Sequence, residues 1–195
     1  GILHHNEGFD LLPSNIELSS VEMSLFNAMS RESILKEYIN KIKSNYDYIL
    51  IDNMPSLGIL TLNSLVAANS VIIPVQAQYL PTKGMTQLLS TINKVRRSLN
   101  PDLKIDGLLM TLVDGRTNLS RNTIMEIHRA YGGMINVFKT TIPIGVRAAE
   151  TSSVGESIFS YDRHCNVAKA YAELSKEVVA LGSKERSELQ FDASR

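Results

Sequence analysis

Short apolar runs alternate with longer amphipathic segments through most of the chain, and this alternation restricts the fold more than any other feature. The apolar runs lie at residues 48–51, 70–75 and 105–112, with a weaker one at 137–142. Runs of this length without polar alternation are typical of strands covered on both faces, as in a parallel sheet. The sequence therefore predicts an α/β fold with a doubly wound, mostly parallel sheet flanked by helices.

Helical periodicity fills the intervals between these runs. It predicts helices at residues 57–68, 82–99, 118–131 and 167–181, and less regular ones at 19–29 and 30–43. Within 82–99, for example, Met85, Leu88 and Ile92 recur at helical spacing. We expect a single domain over residues 1–181 and a polar, frayed tail over 182–195.

The bulk composition excludes several classes of protein. Acidic and basic residues balance at 20 each, so net charge indicates neither a nucleic-acid nor a membrane partner. One cysteine, Cys165, excludes an internal disulfide and fits a reducing cytosol. No apolar run approaches the roughly 20 residues that span a bilayer. Because the sequence starts without methionine and without a signal peptide's residue order, we expect a fragment or a trimmed chain.

Polar residues follow three of the predicted strands, at the edge where open α/β sheets bind ligands. Asp52 directly follows the first apolar run, and a carboxylate fixed at a strand end is a suitable oxygen ligand for the magnesium shell of a P-loop nucleotide site. The alternative is that Asp52 caps the following turn or helix. The other two strand ends carry residues 114–117 and 143–147.

The partner of such a carboxylate is a glycine-rich phosphate loop ending in lysine, and this sequence contains none. Lys83-Gly84 has the reverse order and lies at a predicted helix start. The backbone amides and lysine charge that hold phosphates are therefore not supplied by these residues. These residues therefore include no complete catalytic set for a P-loop site.

An ordered set of motifs resembles the ParA/Soj-type partition ATPases, which are deviant P-loop ATPases. The motifs are residues 46–52 with 55–58, 73–76, Tyr79, Lys83-Gly84, 114–118, Ile142-Pro143, Val146-Arg147 and 150–155. Each motif is short, but together they cover residues 2–178 in the order and spacing of the family. The stretch 161–166 departs from the family's Asp-Pro-Lys-Gly-Lys pattern near its DNA-contacting surface, and Asn53-Met54-Pro55 stands where many members have two prolines.

The resemblance implies ATP and Mg²⁺ as cofactors, with Asp52 as the magnesium-side carboxylate. It implies that Asp114, Arg116, Pro143, Val146 and Arg147 border the adenine. For Arg116 the alternative is a surface ion pair, and for Pro143 a turn proline that ends a strand. The resemblance also implies a P-loop NTPase-like fold that, in these residues, is missing its first strands and its phosphate loop.

The resemblance also implies a cytoplasmic, nucleoid-associated protein that acts in plasmid or chromosome partitioning. Its partners would be a second copy in an ATP-dependent dimer, non-specific DNA and a ParB-type protein, with no membrane. Because the phosphate loop is absent from these residues, we expect this chain to turn over ATP poorly or not at all.

Two other functions remain open from the sequence. One is a non-catalytic remnant that binds an intact paralogue or a partner protein. The other is a MinD-type membrane-cycling ATPase, which the mixed charges of residues 182–188 disfavour. A sheet lacking its first strands would expose an edge and an apolar face, so we also expect a marginally stable or self-associating chain.

Overall fold

The computed structural model describes residues 1–15, 17–25, 28–78 and 82–192, and Tyr79 of the motif set lies outside them. The chain divides into two compact units. Unit 1 consists of the described residues of Gly1–Asn69 with Leu88–Leu103, and unit 2 of those of Ser70–Gln87 with Lys104–Arg195. The expectation of one domain over residues 1–181 stays a prediction.

Unit 1 is built from a short hairpin and helices. Its elements are β1 (Leu3–His4), β2 (Asp10–Leu11), α1 (Leu18–Leu25), α2 (Ile34–Ile42), a 3₁₀ turn (Lys43–Asn45), α3 (Ile59–Ala67) and, from Leu88 onward, α4 (Thr82–Ser98). β1 and β2 pair antiparallel, and α2 packs on α3. The predicted helices at 30–43 and 57–68 are confirmed within a few residues of their ends.

Two buried asparagines replace backbone pairings in this unit. The Asn63 amide nitrogen donates to the carbonyl oxygens of Arg31 (2.8 Å) and Ile59 (3.0 Å), and its Oδ1 accepts from the Leu35 N–H (3.1 Å). The Asn100 amide nitrogen likewise donates to the carbonyl oxygens of Leu65 (3.0 Å), in the last turn of α3, and of Ala68 (2.8 Å), directly after it. These side chains therefore pair mostly part-buried backbone groups in loops, in the first turn of α2 and along α3.

The predicted buried strand at residues 48–51 is wrong for this structure. The segment is not paired in a ladder with any described strand, and Tyr48, Ile49 and Leu50 are exposed, Leu50 to 92%. An apolar run becomes a strand only when neighbours take its backbone hydrogen bonds and cover its faces. Within the described residues nothing supplies these neighbours, so the run stays irregular.

Unit 2 holds a parallel sheet flanked by helices. Its elements are β3 (Ser70–Gln76), the first turns of α4, β4 (Lys104–Thr111), α5 (Asn118–Tyr131), α6 (Val146–Val154), α7 (Ile158–Asp162) and α8 (Asn166–Asp192). β3 and β4 pair in parallel, with a register shift between Val71 and Ile72. The sequence predicted these two strands and α5 closely, and the α/β fold with a parallel sheet is confirmed.

The chain from 136 to 144 runs along the other side of β4 without forming the full strand predicted at 137–142. Two isolated parallel bridges join it to β4 and the residues after it: Leu108 with Val137, and Val113 with Pro143. Gly107 permits the close approach at the first bridge, because a Cβ there would lie 2.8 Å from the Asn136 carbonyl oxygen. The segment therefore extends the sheet only at its two ends.

The core of unit 2 lies between this sheet and the last helix. Its buried members are Leu109, Phe138, Ile142 and Val167, and Leu174 and Val178 of α8 pack against them. α8 begins one residue before the predicted helix and continues to Asp192, so the predicted frayed tail is helical as far as the description reaches. No described helix is both long and apolar enough to cross a membrane.

Candidate functional site

Two of the predicted site loops leave the sheet of unit 2 side by side. The Val113 N–H donates to the Ile142 carbonyl (3.1 Å), and the Ile144 N–H donates to the Val113 carbonyl (3.1 Å). The loop that begins at Asp114 and the loop that begins at Pro143 therefore start next to each other, beyond the carboxyl ends of parallel strands. This edge is where open α/β sheets bind ligands.

Leu112 turns the chain out of β4 toward the first loop with φ = 51°. A residue with a Cβ loses roughly 1–2 kcal/mol in this left-handed region, which glycine occupies freely. The hydrogen bonds of Val113 immediately after it offset this cost. Such backbone outliers concentrate at functional sites, which directs attention to the Asp114 loop.

Asp114 and Arg116 form a closed pair within that loop. Arg116 Nε donates to Asp114 Oδ1 (3.0 Å) and Nη2 to Oδ2 (3.1 Å), a bidentate geometry, while the Arg116 backbone N–H also donates to Oδ1 (3.1 Å). These hydrogen bonds from Arg116 lower the pKa of the Asp114 carboxyl, and the carboxylate raises the pKa of Arg116. The ion pair that the sequence left as an alternative for Arg116 is thus present.

This pairing holds the Arg116 guanidinium in one orientation and leaves its flat face exposed. Its side chain is 87% exposed, although both ends of its fork are fixed to the carboxylate. Thr117 caps α5 by accepting from the Ser120 N–H, and Arg121 donates twice to the Gly115 carbonyl. The loop is therefore rigid, and its carboxylate is already neutralised rather than open to a metal ion.

The second loop leads into α6 and carries Pro143, Val146 and Arg147. Pro143 is half-buried beside Val113, and Val146 is 76% exposed. Gly145 is the residue before α6, and a Cβ at this position would lie 2.5 Å from a methyl group of Val167. Close packing against α8 therefore sets the course of the loop, which presents apolar surface next to the Asp114 loop.

Arg147 lies in a cluster that we call the Arg147 cluster, consisting of Arg147, Glu150, Tyr161 and Asp162. Its guanidinium nitrogens are 3.7 Å from Glu150 Oε2 and 3.8 Å from Asp162 Oδ2, and its Cζ is 5.9 Å from the centre of the Tyr161 ring. Tyr161 donates its hydroxyl hydrogen to Glu150 (3.0 Å). The Tyr161 hydroxyl and then the Glu150 carboxylate raise the pKa of Arg147.

Asp52 lies in unit 1 and is exposed. Within the described residues its carboxylate makes no hydrogen bond or ion pair, so it does not cap the following turn or helix. The turn itself is held by other groups, with the Thr61 hydroxyl donating to the Ser56 carbonyl (2.5 Å). The part of the chain described here holds no cluster of three metal-ligating side chains. A single exposed carboxylate such as Asp52 is suited to bind a magnesium ion through water, since Mg²⁺ keeps several of its waters in proteins.

A separate cavity lies in unit 1 near the start of α3. Its volume is about 290 Å³, and Arg31, Gly58 and Thr91 are among its lining residues. None of the six residues predicted from the sequence to bind nucleotide or metal lines it. Its walls are mainly apolar, which does not suit a triphosphate.

Two polar networks in the structure were not predicted from the sequence. Tyr161 and Asp162 meet Arg147 only because α7 folds back on α6, although the spacing of Arg147 and Glu150 already allowed an ion pair on one helix face. In unit 1, Asp10 accepts from the Tyr46 hydroxyl (2.7 Å) and contacts His4 Nδ1 (2.5 Å). The Tyr46 hydrogen bond is the main reason that the pKa of Asp10 is lowered.

Comparison with known proteins agrees with the motif set. The family described as AAA domain matches residues 2–105. The chain is 44% identical to the sporulation initiation inhibitor protein Soj of Bacillus subtilis, over 90% of this chain and 69% of that protein. It is 42% identical to the chromosome-partitioning ATPase Soj of Treponema pallidum, over 87% of this chain and 66% of that protein. The chain thus spans about two thirds of the length of these relatives.

Solved structures show the same fold. A cobyrinic acid a,c-diamide synthase from Mycobacterium smegmatis superposes with a TM-score of 0.78 at 35% identity, over 91% of this chain and 65% of that one. The structure of that enzyme with bound ADP and magnesium is 41% identical with a TM-score of 0.69, over 73% of this chain and 57% of that one.

The chain has a parallel sheet flanked by helices, with polar loops beyond the carboxyl edge of the sheet. Together with the likeness to these solved structures, this fold defines an α/β protein of the P-loop NTPase class. Within that class, the identity to Soj proteins over most of its length shows the family. The chain belongs to the ParA/Soj-type ATPases.

Proposed function

We propose that this chain is part of a ParA-type ATPase that acts in plasmid or chromosome partitioning. The observation that carries the proposal is the 44% identity to Soj over 90% of the chain. A second Soj relative is named a chromosome-partitioning ATPase. The whole protein would work by ATP-dependent dimerisation.

The proposed cofactors are ATP and Mg²⁺, and a relative 41% identical to the chain has been solved with ADP and magnesium. The loops at residues 114–117 and 143–147, which carry Asp114, Arg116, Pro143, Val146 and Arg147, would border the adenine, with Pro143 packing near the base. In support, the loops that carry them adjoin at the edge of the sheet, with one planar guanidinium and apolar side chains exposed there. Asp52 would hold the water shell of the magnesium ion.

The proposed partners are a second copy of the protein, non-specific DNA and a ParB-type protein, in a nucleoid-associated, cytoplasmic setting. Since basic and acidic residues balance, binding to DNA would depend on a local basic surface of the dimer rather than on net charge. Its affinity would fall steeply with salt, as it does for any contact to phosphates.

Equilibrium binding of a fluorescent ADP analogue tests the nucleotide site. We expect Asp52→Ala to weaken only the magnesium-dependent part of binding, and Pro143→Gly to weaken binding with or without magnesium. Asp47→Ala is the matched control, because Asp47 is an exposed carboxylate in the same segment. Absence of binding at millimolar nucleotide, or equal effects of the two aspartate variants, would refute the assignment.

Turnover measurements test the catalytic part of the proposal. We expect this chain to release no phosphate from ATP above background, because its residues include no phosphate loop. Steady turnover that disappears in Asp52→Ala would show that the chain carries a complete site and would contradict the expectation.

A second function is favoured by the exposed apolar segment that contains Tyr48, Ile49 and Leu50. An unpaired apolar segment can add to the sheet edge of another chain. As the second function we therefore propose a non-catalytic module that binds an intact paralogue or a partner protein. Capture of a full-length ParA-type protein without nucleotide, weakened by Leu50→Ser, would support that function. A strictly monomeric chain that captures nothing would count against it.

A further inference from the structure

The Arg147 cluster joins the start of α6 to the end of α7. Arg147 and Glu150 lie on α6, while Tyr161 and Asp162 are the last two residues of α7. The hydrogen bond from Tyr161 to Glu150 links the two helices directly. The guanidinium therefore lies against two carboxylates and an aromatic ring, although its side chain remains 60% exposed.

The contacts that hold the guanidinium are attractive but loose. Both nitrogen–oxygen distances, 3.7 and 3.8 Å, exceed the range of a charge-assisted hydrogen bond. Ion pairs of this exposed kind contribute little, and they restrict the arginine weakly. This differs from Arg116, whose fork is fixed to Asp114 by hydrogen bonds of 3.0 and 3.1 Å. Of these two site arginines, Arg147 is therefore the one held by the longer ion pairs.

A phosphate group competes well for such an arginine. The guanidinium fork matches two phosphate oxygens with short, parallel hydrogen bonds, which the present contacts do not provide. The site lies on the loop proposed above to border a nucleotide. A phosphate that binds Arg147 must also draw it from Asp162 and Tyr161, because the fork has only one set of donors.

We propose that Glu150, Tyr161 and Asp162 are positioning residues that hold the Arg147 guanidinium against α7 until the phosphate of a ligand displaces it. The proposal rests on the proposed function for the choice of ligand, a nucleotide or the backbone of DNA. Ligand binding would then loosen the link between α6 and α7. The attraction of Glu150 and Asp162 for the guanidinium would set the ligand concentration at which Arg147 is displaced.

Nitrogen-15 NMR of the whole chain tests the proposal, with tripolyphosphate as the probe. We expect the Arg147 Nε–Hε resonance, assigned from its loss in Arg147→Gln, to move on titration. Asp162→Asn should tighten tripolyphosphate binding by about threefold, since one competing ion pair is removed. Glu173→Gln is the matched control, because it removes a carboxylate that pairs with Lys176 on α8, outside the cluster.

A gain in affinity separates positioning from a merely structural role, since damage to the fold would weaken binding. Arg147→Lys should restore part of the binding that Arg147→Gln loses. If Asp162→Asn does not fold, Glu150→Gln provides the same test and keeps an acceptor for the Tyr161 hydroxyl. Equal affinities for the Asp162 and Glu173 variants, or no movement of the Arg147 resonance, would overturn the proposal.

Parallel titrations with ADP and with a short DNA duplex identify the source of the phosphate. If tripolyphosphate moves Arg147 but neither ADP nor DNA binds, the positioning role stands and the proposed function fails. If ADP or DNA binds while Arg147 keeps its resonance, the proposed function stands and the positioning role fails.

Discussion

Gly107→Ala is the substitution whose effect on the site edge can be worked out most directly. A Cβ at this position would lie 2.8 Å from the Asn136 carbonyl oxygen and 3.0 Å from Cε2 of the Phe138 ring. Both neighbours belong to the segment that leads to Pro143, and Phe138 is buried in the core of unit 2. The added methyl group must therefore push this segment away from β4.

The expected cost follows from two opposing effects. Overpacking of a close contact costs about 1–3 kcal/mol, and here one neighbour is backbone that cannot turn aside. Replacing glycine by alanine also restricts the unfolded chain, which stabilises by about 0.4–1 kcal/mol. The net result should be a destabilisation of about 1–2 kcal/mol.

Gly115→Ala is the matched control, since a Cβ there meets nothing within 4 Å. Urea unfolding followed by circular dichroism gives the free energy of each variant, and hydrogen exchange of the Leu108 and Phe138 amides reports the bridge itself. We expect faster exchange at these two amides in Gly107→Ala only. Equal stability and equal exchange in the two variants would refute the reasoning.

Three further predictions concern single side chains. Asn63→Leu should lower the free energy of unfolding by about 2 kcal/mol, because the Leu35 N–H and the Arg31 carbonyl lose the side chain that pairs them. Asn122→Leu, on an exposed helix face, is the control and should change this free energy little in the same urea unfolding experiment. Because the pKa of Asp114 is lowered in the folded chain, its hydrogen bonds to Arg116 stabilise the fold fully at a pH above 3.8, the ordinary pKa of an aspartate. This contribution is lost as the pH falls through the lower pKa of the folded state. An NMR titration of the Asp114 carboxyl measures that pKa, and a midpoint at or above 3.8 would contradict the prediction. Leu50→Ser should reduce self-association in sedimentation without lowering the unfolding midpoint, because the side chain is 92% exposed; unchanged association would exclude this segment as the contact.

Local signals were sufficient for β3, β4 and α5 of unit 2. The predicted helix at 118–131 has the observed bounds, because Thr117 caps it and two glycines follow it. β3 and β4 were predicted from runs of β-branched and apolar residues, and each finds the other as a partner. These elements need little beyond their own sequence and one neighbour.

Predictions that depended on a distant partner were less successful. Residues 48–51 have the composition of a buried strand. A strand forms only where a neighbouring strand takes its backbone hydrogen bonds, and composition does not show whether such a neighbour is present. The Asp114–Arg116 pair was accessible as an alternative because the two residues are close in sequence. The contact of Asp162 with Arg147 was not, since it depends on how α7 folds back.

The close approach of Gly145 to Val167 has a consequence for reading related sequences. Val167 is 3% exposed and touches no proposed ligand, so a comparison confined to loop motifs would disregard it. Yet its methyl group occupies the space that any side chain at 145 would need, so we expect the residues at the two positions to vary together. A larger residue at 167 would shift the loop as surely as a change within the loop, which makes α8 a mechanical support of the sheet edge.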